Sequence, residues 1–166
     1  LGASAKFAAA GKRVPRKDLA MMAIAYGNVY VAQVAMGANN EQAVLAFREA
    51  EAYKGPSIVL AYSQCIAHGT DLRQGMKQAA RAVATGHWPL FRFDPTMRKQ
   101  GMNPFRLDST RPRLALEEYR YREVRFKVLE QTHPAEAEHM MEQAKLAAME
   151  RYKSYEDLAA RDGSRF

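Results

Sequence analysis

The one cysteine of the sequence, Cys65, is its most distinctive chemical group. It lies in a polar run, Ser63-Gln64-Cys65-Ile66-Ala67-His68-Gly69-Thr70, with a histidine three positions on. Four chemistries are open to it. A buried free cysteine packs as a small hydrophobe and does nothing else. A nucleophilic cysteine needs a general base, which His68 could supply within one turn, while His87, His133 and His139 lie elsewhere. No nucleophile-family signature surrounds it. Zinc would take Cys65 and His68 as two of its four ligands, and no second pair follows. An iron–sulfur cluster is usually held by four thiolates, so Cys65 could be one ligand only if three others came from elsewhere. Residue type and spacing leave all four readings open.

The remaining polar groups offer no complete catalytic constellation. His68 reads as a solvated loop histidine, and His87-Trp88 as a pair packed at a strand entrance. Tyr26 and Tyr30 flank a helix-to-strand turn and read as structural. Met21, Met22 and Met36 read as core filler. Glu49 with Glu51, and Glu117 with Glu118, fall on expected helices as solvated faces. Neither a glycine-rich dinucleotide fingerprint nor a phosphate-binding P-loop is present.

The elements that must position Cys65 follow from the pattern around it. Residues 18–25 (DLAMMAIA) form an apolar run headed by a capping aspartate and closed by Tyr26-Gly27. Residues 29–34 (VYVAQV) are β-branched and aromatic, short enough for a strand. After Gly37, Asn39 and Asn40 offer N-caps for a helix with Glu41 in its first turn. Ala43, Phe47 and Ala50 mark its inner face, widened by Val44 and Ala46. Gly55-Pro56 ends it. Residues 57–62 (SIVLAY) are a continuous apolar run, as in a strand buried on both faces of a parallel sheet. Asp71 opens a further helix that ends at Gly86, and residues 89–93 (PLFRF) form a third strand.

This alternation of helix and strand predicts an α/β fold, a parallel sheet with flanking helices built from right-handed crossovers. Ligands of such sheets collect at the carboxyl ends of the strands, where Cys65 falls. Beyond Asp94-Pro95 the texture changes. Pro95, Gly101, Pro104 and Pro112 mark a crossing segment, with a short edge strand at residues 103–107. A helix over residues 116–131 presents Tyr121, Val124 and Val128. After His133-Pro134, a long charged helix runs over residues 135–160, with Met140, Met141, Ala144, Ala148, Tyr152 and Tyr155. The tail from residue 162 to 166 reads as frayed. Residues 1–110 are thus one α/β unit and 111–166 a helical carboxy-terminal extension.

Composition narrows the setting. The apolar fraction of 48% and charged fraction of 26% are those of an ordinary globular domain. No apolar run is long enough to span a bilayer, and residues 1–10 lack the organisation of a signal peptide. A lone cysteine fits a reducing compartment, so a cytoplasmic location is expected. The sequence opens on Leu1 and reads as the interior of a longer one. Net charge is +7, which invites an anionic partner. The basic residues are scattered, however, and no nucleic-acid-binding motif accompanies them, so neither nucleic acid nor membrane is expected as a partner.

Five segments then carry a resemblance. AKFAAAGKR (residues 5–13), YGNVYVAQVAMGAN (26–39), REAEAYKGPSIVLAYSQCIAHG (48–69), GHWPLFRFDP (86–95) and GMNPFRLDS (101–109) resemble, in order and spacing, the pyruvate:ferredoxin (or flavodoxin) oxidoreductases. The final helices match more loosely. The resemblance places the chain in the carboxy-terminal part of the family's thiamine-pyrophosphate-binding domain, a partial thiamine-diphosphate-binding fold. It implies oxidative decarboxylation of pyruvate, transfer of the acetyl group to coenzyme A, and electron exit through 4Fe-4S clusters to ferredoxin or flavodoxin. It further implies that Cys65 is the one ligand this chain gives to the cluster nearest the thiamine. The magnesium-binding aspartate and the Asn-Thr-Gly-Gly-Gln segment that hold the diphosphate belong upstream of Leu1, so no thiamine or Mg2+ ligand is assigned here. The expected partners are the remaining domains of the same enzyme, in a homodimer, and the piece alone is expected to be inactive. The alternatives are a related 2-oxoacid:acceptor oxidoreductase and a non-catalytic α/β interaction module.

Overall fold

The computed structural model describes residues 1–162, so the expectation of a frayed tail lies, past residue 162, outside the described residues. Six α-helices and four strands follow one another: α1 (Leu19–Ile24), β1 (Tyr30–Val34), α2 (Asn40–Ala52), β2 (Ser57–Ala61), α3 (Gly75–Ala84), β3 (Phe91–Phe93), β4 (Phe105–Leu107), α4 (Glu117–Arg120), α5 (Val124–Thr132) and α6 (Pro134–Ala159). Local chemistry sets the helix starts. The Asp18 carboxylate accepts from Met21 N–H at 3.0 Å and the Asn39 side chain from Gln42 N–H at 2.9 Å.

The sheet has the order β2-β1-β3-β4. β1 is its centre and all five of its residues are buried. Alternation along the strand sends Tyr30, Ala32 and Val34 toward Ala43 and Ala46 of α2. Val31 faces the other way, joining Phe91, Phe93 and Phe105 under Ala20, Ala23 and Ile24 of α1 and Tyr155 and Leu158 of α6. The α/β fold with flanking helices and a long carboxy-terminal helix is as expected from the sequence.

The sheet is mixed, with β1 and β2 parallel and β3 antiparallel to β1. The reason lies in α3. It does not cross the sheet but stays beyond the carboxyl end of β1, where Ala79 packs with Ala35 and Leu90. The chain therefore enters β3 from the end at which it left β2. β4 is an antiparallel edge strand.

Four local expectations are corrected. Among the described residues β2 lies at the sheet edge rather than buried on both faces, because β1 alone pairs with it there and Ile58 is 37% exposed. On α2 the inner face is Gln42, Ala43 and Ala46, while Val44 and Phe47 point outward. Met22 and Met36 are also exposed, and only Met21 packs against the core. The single helix expected over residues 116–131 is broken into α4 and α5. Tyr119, Arg120, Glu123, Phe126 and Leu129 are buried, while Val124 and Val128 are exposed.

Candidate functional site

Cys65 is a free, partly exposed thiol on the loop that leaves the carboxyl end of β2. Its backbone is extended (φ −135°, ψ 132°), and its carbonyl accepts from His68 N–H at 3.0 Å to open a 3₁₀ turn, Ile66–His68. Gly69 ends that turn with φ 71°, a left-handed conformation in which glycine is unstrained.

Both ends of the loop are tied down. Upstream, Tyr62 N–H donates to Val34 C=O at 2.9 Å, prolonging the β1–β2 pairing by one step. The Tyr62 ring meets Trp88 edge-on at 5.6 Å, and its hydroxyl lies 2.8 Å from that of Tyr119. Downstream, the Gln64 amide donates to Gly75 C=O at the start of α3, and the Asp71 carboxylate caps the turn Leu72–Gln74. The thiol is thus carried on a preformed turn.

Ser63, Gln64 and His68, which flank Cys65 in sequence, line a half-open cavity of about 480 Å³. Lys12, Arg16, Arg120 and Arg125 also line it, as does one carboxylate, that of Glu123. Glu123 is 2% exposed and is paired with Arg125 at 2.6 Å. His87 lies against the Tyr119 ring with centroids 4.5 Å apart. Burial, reinforced by Arg16, Arg120, Arg151 and Arg125, holds its imidazole well below the ordinary histidine range. Burial likewise draws the Arg120 guanidinium down to about 10. Desolvation also pushes the Tyr62 hydroxyl up to about 12.

His68 is half-buried at this cavity. Among the described residues, no group of three His, Cys, Asp or Glu side chains could hold a metal ion. The described residues therefore do not form a complete metal centre by themselves. Trp88 packs at the strand entrance as expected, its indole N–H donating to Val34 C=O at 3.0 Å.

Two carboxylates expected on solvated faces are instead engaged. Glu49 accepts from Tyr30 and from Arg92, whose side chain is 10% exposed. Glu117 pairs with Lys145 of α6. The residues missed from sequence are Tyr119, Arg120 and Glu123, two of them charged and so assigned to solvent. Their spacing of roughly one turn, together with Phe126, was the available signal.

No family model matches the chain. Among curated proteins it is 50% identical over 161 residues to a pyruvate-flavodoxin oxidoreductase of Trichormus variabilis, covering 97% of this chain and 14% of that protein. It is 44% identical over 161 residues to a probable pyruvate-flavodoxin oxidoreductase of Escherichia coli, with 97% and 14% covered. It is 42% identical over 158 residues to a pyruvate:ferredoxin oxidoreductase of Moorella thermoacetica, with 95% and 14% covered. The chain spans about one seventh of the length of these relatives. Across nearly all of its residues, it is a homologue of one segment of the pyruvate-flavodoxin and pyruvate:ferredoxin oxidoreductases.

Proposed function

We propose that the chain works as one segment of a larger pyruvate:acceptor oxidoreductase and that Cys65 supplies one thiolate to a 4Fe-4S cluster shared with other domains. The identity to proteins named for pyruvate and for flavodoxin or ferredoxin supports the reaction. The observation that carries the role of Cys65 is its place. A partly exposed thiol stands on a braced turn at the carboxyl end of a strand, in no group of three metal-ligating side chains among the described residues. The cluster, when bound, supplies one-electron transfer. What the chain itself does is hold the ligand still: the Tyr62 and Gln64 anchors and the Gly69 turn fix the direction in which Cys65 projects. A fixed ligand keeps the separation between redox centres short and constant.

In this reading residues 1–110 are the carboxy-terminal half of a thiamine-pyrophosphate-binding domain and 111–166 its helical extension. The groups that hold the diphosphate and Mg2+ lie in other parts of the longer protein, as do the pyruvate and coenzyme A sites. The full enzyme is a cytoplasmic homodimer. Among the described residues no helix is long and apolar enough to cross a membrane.

The test is Cys65→Ala in the full-length enzyme, with iron content and low-temperature electron paramagnetic resonance as readouts. The expected result is loss of the iron and the signal of one cluster with the other cluster signals intact. Full iron content with an unchanged set of signals would rule the assignment out.

A further inference from the structure

Helix α2 carries apolar side chains on two opposite faces. Ala43 and Ala46 pack against the sheet. On the far side Val44, Leu45 and Phe47 are 60%, 41% and 51% exposed. A helix that only covers a sheet presents polar groups on its outer face. Here three large apolar side chains stand together instead, and such a patch marks a contact surface.

The charges around the patch say what covers it. Glu41 and Arg48 are both exposed, and neither has an ion-pair partner among the described residues. Glu41, Val44, Leu45 and Arg48 recur at one-turn spacing, so they form a single stripe along the helix. The stripe is balanced about its middle, with the apolar pair at the centre and charges of opposite sign at the two ends. A two-fold axis passing between Val44 and Leu45 sets a second α2 antiparallel to the first. Val44 then meets Leu45 of the second copy, and Glu41 meets Arg48 of the second copy. Symmetry repeats both contacts, as an isologous interface requires. Ends of like sign would repel in this arrangement. Phe47, one turn from Val44, widens the apolar strip along one side.

We infer that α2 is a self-complementary contact between two copies of this chain. The inference rests on the reading of the longer enzyme as a homodimer, and it names the helix face on which the copies touch. Burial of Val44 and Leu45 drives the contact, and the Glu41–Arg48 pairs fix its antiparallel register. One helix face is smaller than the area that a stable dimer buries, so α2 is one part of a wider interface in the full-length protein.

The full-length protein provides the test, with dimer dissociation on dilution followed by fluorescence-detected sedimentation velocity at low salt. Glu41→Arg and Arg48→Glu each set two like-charged pairs face to face, and each is expected to weaken the dimer about tenfold or more. The double variant Glu41→Arg/Arg48→Glu restores both pairs with their signs exchanged, and should return the affinity to within about threefold of the unmodified protein. A surface that meets another domain or an unrelated protein gains nothing from that exchange. Both residues are exposed, so folding is not at stake. Position is read separately: a short bismaleimide should join two copies of Leu45→Cys well above the level in the unmodified protein, because Leu45 lies beside the axis. Four outcomes overturn the inference: a protein that stays monomeric, single variants with unchanged dimer affinity, a double variant no tighter than the singles, or no Leu45→Cys cross-link. A monomeric protein that still loses one cluster in Cys65→Ala would sink this interface and leave the redox assignment standing. Unchanged iron in Cys65→Ala with rescue by the double variant would do the reverse.

Discussion

Gly69 lies so close to Val124 that a methyl group on its α-carbon would stand 2.3 Å from the Val124 Cβ. This contact joins the turn that carries Cys65 to the first residue of α5, so the break between α4 and α5 and the shape of the cysteine loop are one structural feature. Gly69 also has φ 71°, where an L side chain is strained.

Gly69→Ala is therefore expected to destabilise the protein by about 2 kcal/mol or more, through backbone strain and overpacking together. The two causes can be separated. Val124→Ala clears the γ-methyl that would stand 2.4 Å away but leaves the Cβ and the backbone strain, so it recovers only part of the loss. Val124 is 50% exposed, so that second change costs little by itself. Urea unfolding of the two single variants and the double variant measures the coupling. Strictly additive effects would show that the predicted clash does not occur.

Much of the frame around this contact can be read from the residues. Asp18 and Asn39 announce helix starts because a short side chain with an oxygen satisfies orphan amides locally. VYVAQV announces a strand because its residues suit a pleated surface buried on both faces. Long-range geometry is less accessible. SIVLAY has the composition of a central strand, yet its place at the sheet edge depends on which segments pair with it. The direction of β3 depends on α3 staying beyond the end of β1, which helical periodicity in residues 75–84 does not encode. Arg120 and Glu123 were hidden for a different reason: they are three positions apart and share a helix face, but charged side chains are ordinarily assigned to solvent and these two are buried. Cys65 itself was legible, because a polar loop after an apolar run falls at a strand's carboxyl end. Its surroundings of tyrosine and arginine come from α4 and α5, more than fifty residues away in sequence.

Arg92 of β3 ties Asp108, just past β4, to Glu49 of α2. Its guanidinium donates to both Asp108 oxygens at 2.9 Å and to Glu49, and these partners hold its proton more firmly than usual. The Asp108 and Glu49 side chains are 14% and 28% exposed. Removing the cation leaves two partly desolvated carboxylates facing each other. Arg92→Met is expected to lower stability by about 3 kcal/mol, at the low end for broken buried pairs because Glu49 keeps some water. Arg92→Lys restores the charge but cannot reach both carboxylates with a planar fork, so it recovers only part of the loss. Chemical denaturation of both variants measures this, and a loss below about 1 kcal/mol for Arg92→Met would mean that the cluster contributes little.

Alkaline pH should weaken the fold through its buried tyrosines. Tyr30, Tyr62, Tyr119 and Tyr155 are all pushed up, in each case mainly by burial, Tyr62 to about 12. In the unfolded chain these hydroxyls ionise near pH 10. Between that point and the higher folded values, the folded protein keeps protons that the unfolded chain has released. Linkage then makes unfolding easier as pH rises, so the tyrosine contribution is fully present below about pH 10 and is lost above it. Unfolding free energy should be flat from neutral pH to about 10 and fall steeply beyond. Absorbance of tyrosinate near 295 nm should show the buried set ionising only as the protein unfolds. Tyr62→Phe removes one of the four titrating groups and should make the alkaline fall shallower. An alkaline slope identical in that variant would show that Tyr62 ionises as freely in the folded protein as in the unfolded chain.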